Sequence, residues 1–300
     1  MFFECGTRQK ISGREIITMR DKFYYWGGIC YSLVILLFFL FIIAVASPDM
    51  NHPPNPRFTA PEGKPLAGLR FCIDPGHGGQ IWGNTRGYTG GTRSVVSDQT
   101  ESDANLRIGL FLWDILTQAG AEVVMTRTFE TRLSEDCFAK PDSDEYNANR
   151  REELNIRDRV AEANGCDFLV SIHHNAGAPV NFTTAFFFAS GGQGQNEVKH
   201  SPEAAEMSRK LAEAVTECLG KRLGLDIRPP RHGNYHILRE TSLPAILIEC
   251  AFMSDRRQSE WMEDPAYSRT AAIGIFEGIM KVCKGDKQPS LDKNAGEVQP

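Results

Sequence analysis

Four ionisable residues stand where short apolar runs give way to turns. His77 sits between glycines in "FCIDPGHGGQ", His173 and His174 follow "DFLVSI", and Glu249 follows "PAILI". Glu101 opens a stretch of helical character, "ESDANLRIGLFLWDILTQAGA". Histidine nitrogens and carboxylate oxygens in such a set match the ligands of a hydrolytic zinc centre, which takes three protein groups and keeps a further position for water. His77 and His173 supply two ligands and Glu101 the third. A metal there would bring the pKa of a coordinated water down to roughly 7. Glu249 remains as general base and then general acid. An acid inside "PAILIECAFM" is costly to bury unless it is paired or placed near a cation.

Each of these residues also has a plainer reading. A histidine after a strand is most often structural, and Glu101 alone would be a first-turn acid favoured by the helix dipole. Side chains alternate along a strand, so only one of the two adjacent histidines faces the metal; His173 is taken as that one. Asp74 is placed to orient a ligand from behind or to cap a turn. His174 and His236 are weaker candidates.

These groups need a frame that brings them together. "LRFCID", "EVVMTR", "DFLVSI", "TTAFFFAS" and "ILIECAFM" read as strands. Helices are expected over 101–120, ending at Gly120, with Leu106, Leu110, Trp113 and Leu116 as the apolar face, over "LNIRDRVAEANG", over 202–223 and over 266–283. The alternation implies a single α/β domain, a mostly parallel twisted sheet with helices on both faces. In such sheets ligands bind beyond the carboxyl ends of the strands, where His77, His173 and Glu249 fall. Glycines beside His77 permit a sharp turn and leave space for a bound group.

The rest of the chain sets the context. It has 300 residues, a formal net charge of -5 and 41% hydrophobic residues. That suits a globular domain and disfavours nucleic acid as a partner. Residues 29–47, "ICYSLVILLFFLFIIAVAS", form a charge-free run preceded by Arg20 and Lys22. It reads as a signal peptide or a signal anchor within residues 1–47, which directs the domain out of the cytoplasm to the periplasm or cell envelope, released or membrane-anchored. Residues 48–68 read as a proline-rich linker, 69–285 as the catalytic domain, 134–152 as an inserted surface loop and 286–300 as a disordered tail. The cysteines are scattered without a CxxC, and Cys72 and Cys250 lie in apolar runs, as buried small hydrophobes do.

From about Leu69 to Cys283 the chain resembles the zinc-dependent N-acetylmuramoyl-L-alanine amidases of the cell-division and secreted spore and autolysin type. The matching pieces are "IDPGHGG", Glu101 leading into "NLRIGLFLWDILTQAGAEVVMTR", "RVAEANGCDFLVSIHHNA", "HILRETSLPAILIECAFMSD" and the closing helix, in that order. The resemblance implies zinc held by His77, Glu101 and His173, with Glu249 catalytic. It implies cleavage of the amide between N-acetylmuramic acid and L-alanine in peptidoglycan. The stretch from His77 to Glu101 is longer than is usual in that family. A zinc peptidase or deacylase with another substrate is one alternative, although no HExxH is present. An inactive wall-binding module is another.

Overall fold

The computed structural model describes residues 58–78, 90–131, 133, 144–178, 180–189 and 201–285, with the backbone alone for 144–152. The run at 29–47, the start of the linker, the 134–143 segment and the 286–300 tail lie outside these residues. No helix among the described residues is long and apolar enough to cross a membrane.

The strands are β1 (Arg70–Pro75), β2 (Glu122–Met125), β3 (Phe168–Asn175), β4 (Phe182–Phe187), β5 (Asp226–Ile227), β6 (Arg231–His232) and β7 (Ala245–Phe252). The helices are α1 (Glu101–Gln118), α2 (Asp144–Ala163), α3 (Pro202–Leu223), α4 (His236–Arg239), α5 (Arg256–Glu263) and α6 (Pro265–Gly285). Among the described residues the sheet runs β2-β1-β3-β7-β4-β5, with β6 also on β4. β2, β1, β3 and β7 are parallel to one another, and β4 is antiparallel to β7. The expected architecture is therefore present. The two-residue strands β5 and β6 carry too few residues to show any periodicity in the sequence.

Alternate residues of the central strands feed two cores. Phe71, Ile73, Val170, Ile172, Ile246 and Ile248 pack with α1, α3 and α6. Cys72, Leu169 and Leu247 face the other way, toward Ala161 of α2 and Ile237 and Leu238 of α4. Burying both faces is why these strands read as nearly continuous apolar runs. Each fully buried Leu, Ile or Phe contributes about 1.5–3 kcal/mol.

Two expectations are corrected. On α1 the buried stripe is Ala104, Ile108, Leu112, Ile115 and Leu116, whereas Leu110 and Trp113 are exposed. The helix carries two interleaved apolar stripes. The one continuous with Glu101 and Asn105, both buried, is the one turned inward. The stretch 134–152 is not loop throughout, because α2 begins at Asp144. Its polar first turns masked the helical period. Of the 48–68 stretch, Phe58 stacks edge-on against Phe276 at 5.6 Å, and Leu66 is fully buried with its N–H donating to the Ala119 carbonyl at 3.1 Å.

A candidate metal centre at the carboxyl end of the sheet

His77 stands just past the end of β1. The Gly76 N–H donates to the Ile172 carbonyl at 2.9 Å, so pairing with β3 continues one residue beyond the strand. The chain then turns abruptly: His77 itself has φ 62° and Gly78 has φ 145°. A histidine in the left-handed region is uncommon and marks a conformation enforced by its surroundings. The enforcement is visible at three successive carbonyls. Pro75 O accepts from Arg127 Nε at 2.9 Å and Arg157 Nη1 at 3.1 Å. Gly76 O accepts from Arg127 Nη2 at 3.0 Å and Asn105 Nδ2 at 3.1 Å. His77 O accepts from Arg157 Nη2 at 2.6 Å.

Glu101 is the first residue of α1. Thr100 caps the helix and forms a capping box with Asp103, which fixes where the first turn begins. Glu101 Oε2 accepts from the Thr92 N–H at 3.0 Å, and Oε1 from the His174 N–H at 3.1 Å. The same Oε1 lies 3.0 Å from His173 Nδ1 and 3.2 Å from His77 Nε2. The two imidazoles meet edge to face with centroids 4.9 Å apart. One ligand atom from each of His77, Glu101 and His173 lies within 4.8 Å of the others, the only such group among the described residues. The glycine beside His77 serves a purpose other than the expected one. A methyl at Gly76 would overlap the His173 ring, so the space it leaves is filled by the protein's own histidine.

His174 takes the opposite face, as the alternation requires. It is buried, with Nδ1 2.8 Å from Asn105 Oδ1 and Nε2 2.9 Å from the Tyr267 hydroxyl. Asn105 spends its amide on Gly76 O, so its oxygen accepts from Nδ1–H of His174, and Nε2 accepts from Tyr267. Burial pushes this imidazole down to about 4, so it stays neutral. Its role is to tie β3 to α1 and α6. Asp74 neither touches the metal group nor caps a turn. It is buried and accepts from Arg157 Nη1 at 2.6 Å, Ser171 Oγ at 2.7 Å and Thr126 Oγ1 at 2.8 Å. Burial alone would raise it, but Arg157 and the two hydroxyls outweigh that and hold it at about 2. His236 lies apart from this group, on α4 beside Asn155 and Asp158 at 3.0 and 3.3 Å.

Glu249 is in register with His173 across β3 and β7. Its Oε2 is buried without a hydrogen-bond partner among the described residues. Burial pushes its carboxyl up to about 7, His173 opposing and Glu101 adding to the rise. Burial also works against charge on the three cluster residues. The two histidines outweigh it at Glu101, which lies well below the usual carboxylate range. Contact with Glu101 outweighs it at His173, whose pKa is raised, while at His77 burial prevails and lowers it.

The donor set fits a divalent cation that accepts nitrogen and oxygen ligands. Two imidazoles and a carboxylate converge, and a buried carboxylate oxygen beside them lacks a partner among the described residues. Residues 71–281 match the family model described as N-acetylmuramoyl-L-alanine amidase. The chain belongs to this amidase family. A germination-specific N-acetylmuramoyl-L-alanine amidase of Bacillus subtilis is 27% identical over 89% of this chain and 99% of its own length. An N-acetylmuramoyl-L-alanine amidase structure from Clostridium difficile 630 aligns with TM-score 0.56 at 26% identity, covering 73% of this chain and 98% of that one. The CwlD amidase of Clostridioides difficile, solved in complex with the GerS lipoprotein, shares the fold with TM-score 0.59 at 23% identity, over 73% and 100% of the two chains. The amidase domain here thus carries a His–Glu–His group able to hold a metal.

The sequence reading did not assign Arg127, Arg157, Asn105 or Tyr267. Asn105 had a usable signal, since it follows Glu101 by one helical turn on the same face. Arg127 and Arg157 had none that separates a buried arginine from a surface one.

Proposed function

We propose that the protein cleaves the amide between N-acetylmuramic acid and L-alanine in peptidoglycan, with zinc held by His77, Glu101 and His173 and with Glu249 as proton carrier. The observation behind the reading is the pairing of a compact His–Glu–His group with the buried carboxylate oxygen of Glu249 one strand away, which has no hydrogen-bond partner among the described residues. Zinc, when bound, supplies a Lewis acid for the lactyl carbonyl and a more acidic water.

The remaining work falls to the side chains. A carboxyl held near neutrality can accept a proton at one stage and give it up at another. The alanine nitrogen leaves poorly as an anion, so the proton taken up on Glu249 Oε2 is returned to that nitrogen as the C–N bond breaks. Glu101 is kept ionised by its two histidines and by backbone N–H groups, which suits a ligand and not a proton carrier. The two carboxylates are separated in role by environment, as general acid–base sites require.

The charge-free run at 29–47, with Arg20 and Lys22 before it, supports a site of action outside the cytoplasmic membrane, in the compartment where peptidoglycan lies. Protease treatment of spheroplasts should digest the domain; protection together with cytoplasmic markers would reverse this topology.

The direct test is mass spectrometry of purified peptidoglycan after incubation with the protein, with and without a chelator. New N-terminal alanine and intact glycan strands are expected, abolished by chelation and restored by zinc. Cleavage within the stem peptide instead would make the protein a peptidase. Tight wall binding with no new amine would make it a binding module.

A further inference from the structure

Arg127 follows β2, away from the metal group in sequence, yet its guanidinium is completely buried. Such burial is costly for a cation. An ion pair does not account for it. Among the described residues the one carboxylate it reaches is Glu130, at 3.2 Å and about a quarter exposed.

All the remaining contacts are backbone carbonyls. Nε donates to Pro75 O at 2.9 Å, Nη1 to Phe129 O at 3.5 Å, and Nη2 to both Gly76 O at 3.0 Å and Ser102 O at 2.9 Å. With Glu130, these acceptors take up the full set of guanidinium N–H groups. Gly76 immediately precedes His77, and Ser102 immediately follows Glu101. A single nitrogen therefore spans the carbonyls adjoining two members of the metal group. The stem is equally constrained. A Cβ on Gly78 would meet Arg127 Cδ and Nε at 3.2 and 3.3 Å, so the turn lies directly against it.

Two segments distant in sequence have to meet at a fixed separation. β1 delivers His77 through an irregular turn, and α1 delivers Glu101 from a helix start. The direct backbone bond described at this turn runs from Gly76 to β3, not to α1. We infer that Arg127 is a positioning residue of the metal centre, a tie that acts beside the Asn105–Gly76 bond to set the separation of His77 and Glu101. This rests on the reading of His77, Glu101 and His173 as metal ligands. Arg157 differs: its guanidinium is paired with the buried Asp74, so its contribution cannot be separated from that of the β1–β3–α2 core.

The geometry gives a test in which positioning and charge have opposite signs. A buried cation beside a cation site disfavours metal binding, so removing its charge alone would tighten binding. Loss of a tie weakens it. Arg127→Lys keeps charge but places its donors at one point, and cannot reach both carbonyl sets. Arg127→Gln removes the charge as well. Zinc affinity is measured by competition with a chromophoric chelator on the full-length protein, and the cobalt-substituted forms are compared by visible absorption. Both variants should bind roughly 10–100-fold more weakly, the usual effect of losing a group that orients ligands. Their cobalt spectra should differ from wild type, and their circular dichroism in chelator should not. Unchanged or tighter binding in either folded variant would overturn the inference. So would failure of both variants to fold without metal, which would make Arg127 a residue of the fold. If the wild type itself binds neither ion, the metal-centre reading falls first and takes this inference with it. Loss of binding in His77→Ala beside a tight wild type shows that the centre stands and isolates the question to Arg127.

Discussion

His173 and Glu249 are cross-strand partners on adjacent parallel strands, and their side chains share one face of the sheet. The pairing puts a residue of the metal group beside a carboxyl held near neutrality, without any direct bond between Glu249 Oε2 and a described residue. It separates the residue proposed to move protons from those proposed to hold the ion.

Glu249→Gln is therefore expected to keep the metal and the fold, since the amide is nearly isosteric. Hydrolysis should fall about 10²- to 10⁴-fold, the span of a general acid–base contribution. Zinc content and release of new N-terminal alanine are measured on the same preparation. Near-normal turnover removes Glu249 from the chemistry; lost zinc makes it a ligand.

His77→Ala should reduce zinc from about one ion per chain toward none. Metal analysis after dialysis checks this, with a thermal melt in chelator to show that the domain is intact. Full occupancy in the folded variant would remove His77 from the ligand set.

Gly76→Ala tests the clearance for the His173 ring. The new methyl would overlap that ring, and the backbone at Gly76 is not in the left-handed region, so the defect is purely one of space. Overpacking of this kind costs about 1–3 kcal/mol of stability. Zinc affinity should fall as well, because the displaced ring belongs to the metal group. A variant that loses stability but binds zinc normally would show that the ring can move without consequence.

The Asp74–Arg157 pair sets an acid limit. The Asp74 carboxyl lies at about 2, below its unfolded value, so the unfolded chain takes up more protons as pH falls. The pair's contribution is complete above the ordinary aspartate range near 4 and is lost as pH drops through 2. It amounts to roughly 2 kcal/mol. Urea melts between pH 6 and pH 3 should show about half of this loss in the wild type, with the rest falling between pH 3 and pH 2. Asp74→Asn should be less stable at pH 6 by about 1–3 kcal/mol, because Arg157 loses a charged hydrogen-bond partner and keeps Glu153, 3.0 Å from Nη2, as its remaining counter-charge. A wild type equally stable at pH 3 and pH 6 would contradict this account.

Much of this was legible in the sequence. The central strands announced themselves as apolar runs, and the residues at their ends, His77, His173 and Glu249, fell together because parallel strands deliver their carboxyl ends to one side. Glu101 was legible as a helix start. What escaped was whatever depends on pairing across the chain. Leu110 and Trp113 matched a helical period as well as Ile108 and Leu112 did, and only the docking of α1 decides between the stripes. The guanidiniums of Arg127 and Arg157 bind backbone carbonyls, and a carbonyl leaves no mark on residue type. The glycines beside His77 signalled a sharp turn, but nothing in the sequence showed that His77 itself takes left-handed backbone, because the carbonyl contacts that hold it there leave no mark on residue type.

The neighbouring histidines of β3 carry one further consequence. Being chemically identical, they would disguise a deletion upstream in the strand. With one residue lost earlier in the strand and the rest drawn back by one place, His174 would face Glu101 where His173 stood, so a tally of the metal group would find nothing missing, although Asn175 would take the place of His174 between Asn105 and Tyr267. The damage would surface behind them, where Ser171 would turn away from Asp74 and an apolar neighbour would take its place against a buried charge. Reading frame along this strand is thus recorded by a serine hydroxyl, and an alignment that matches the histidines while shifting Ser171 has joined two different structures.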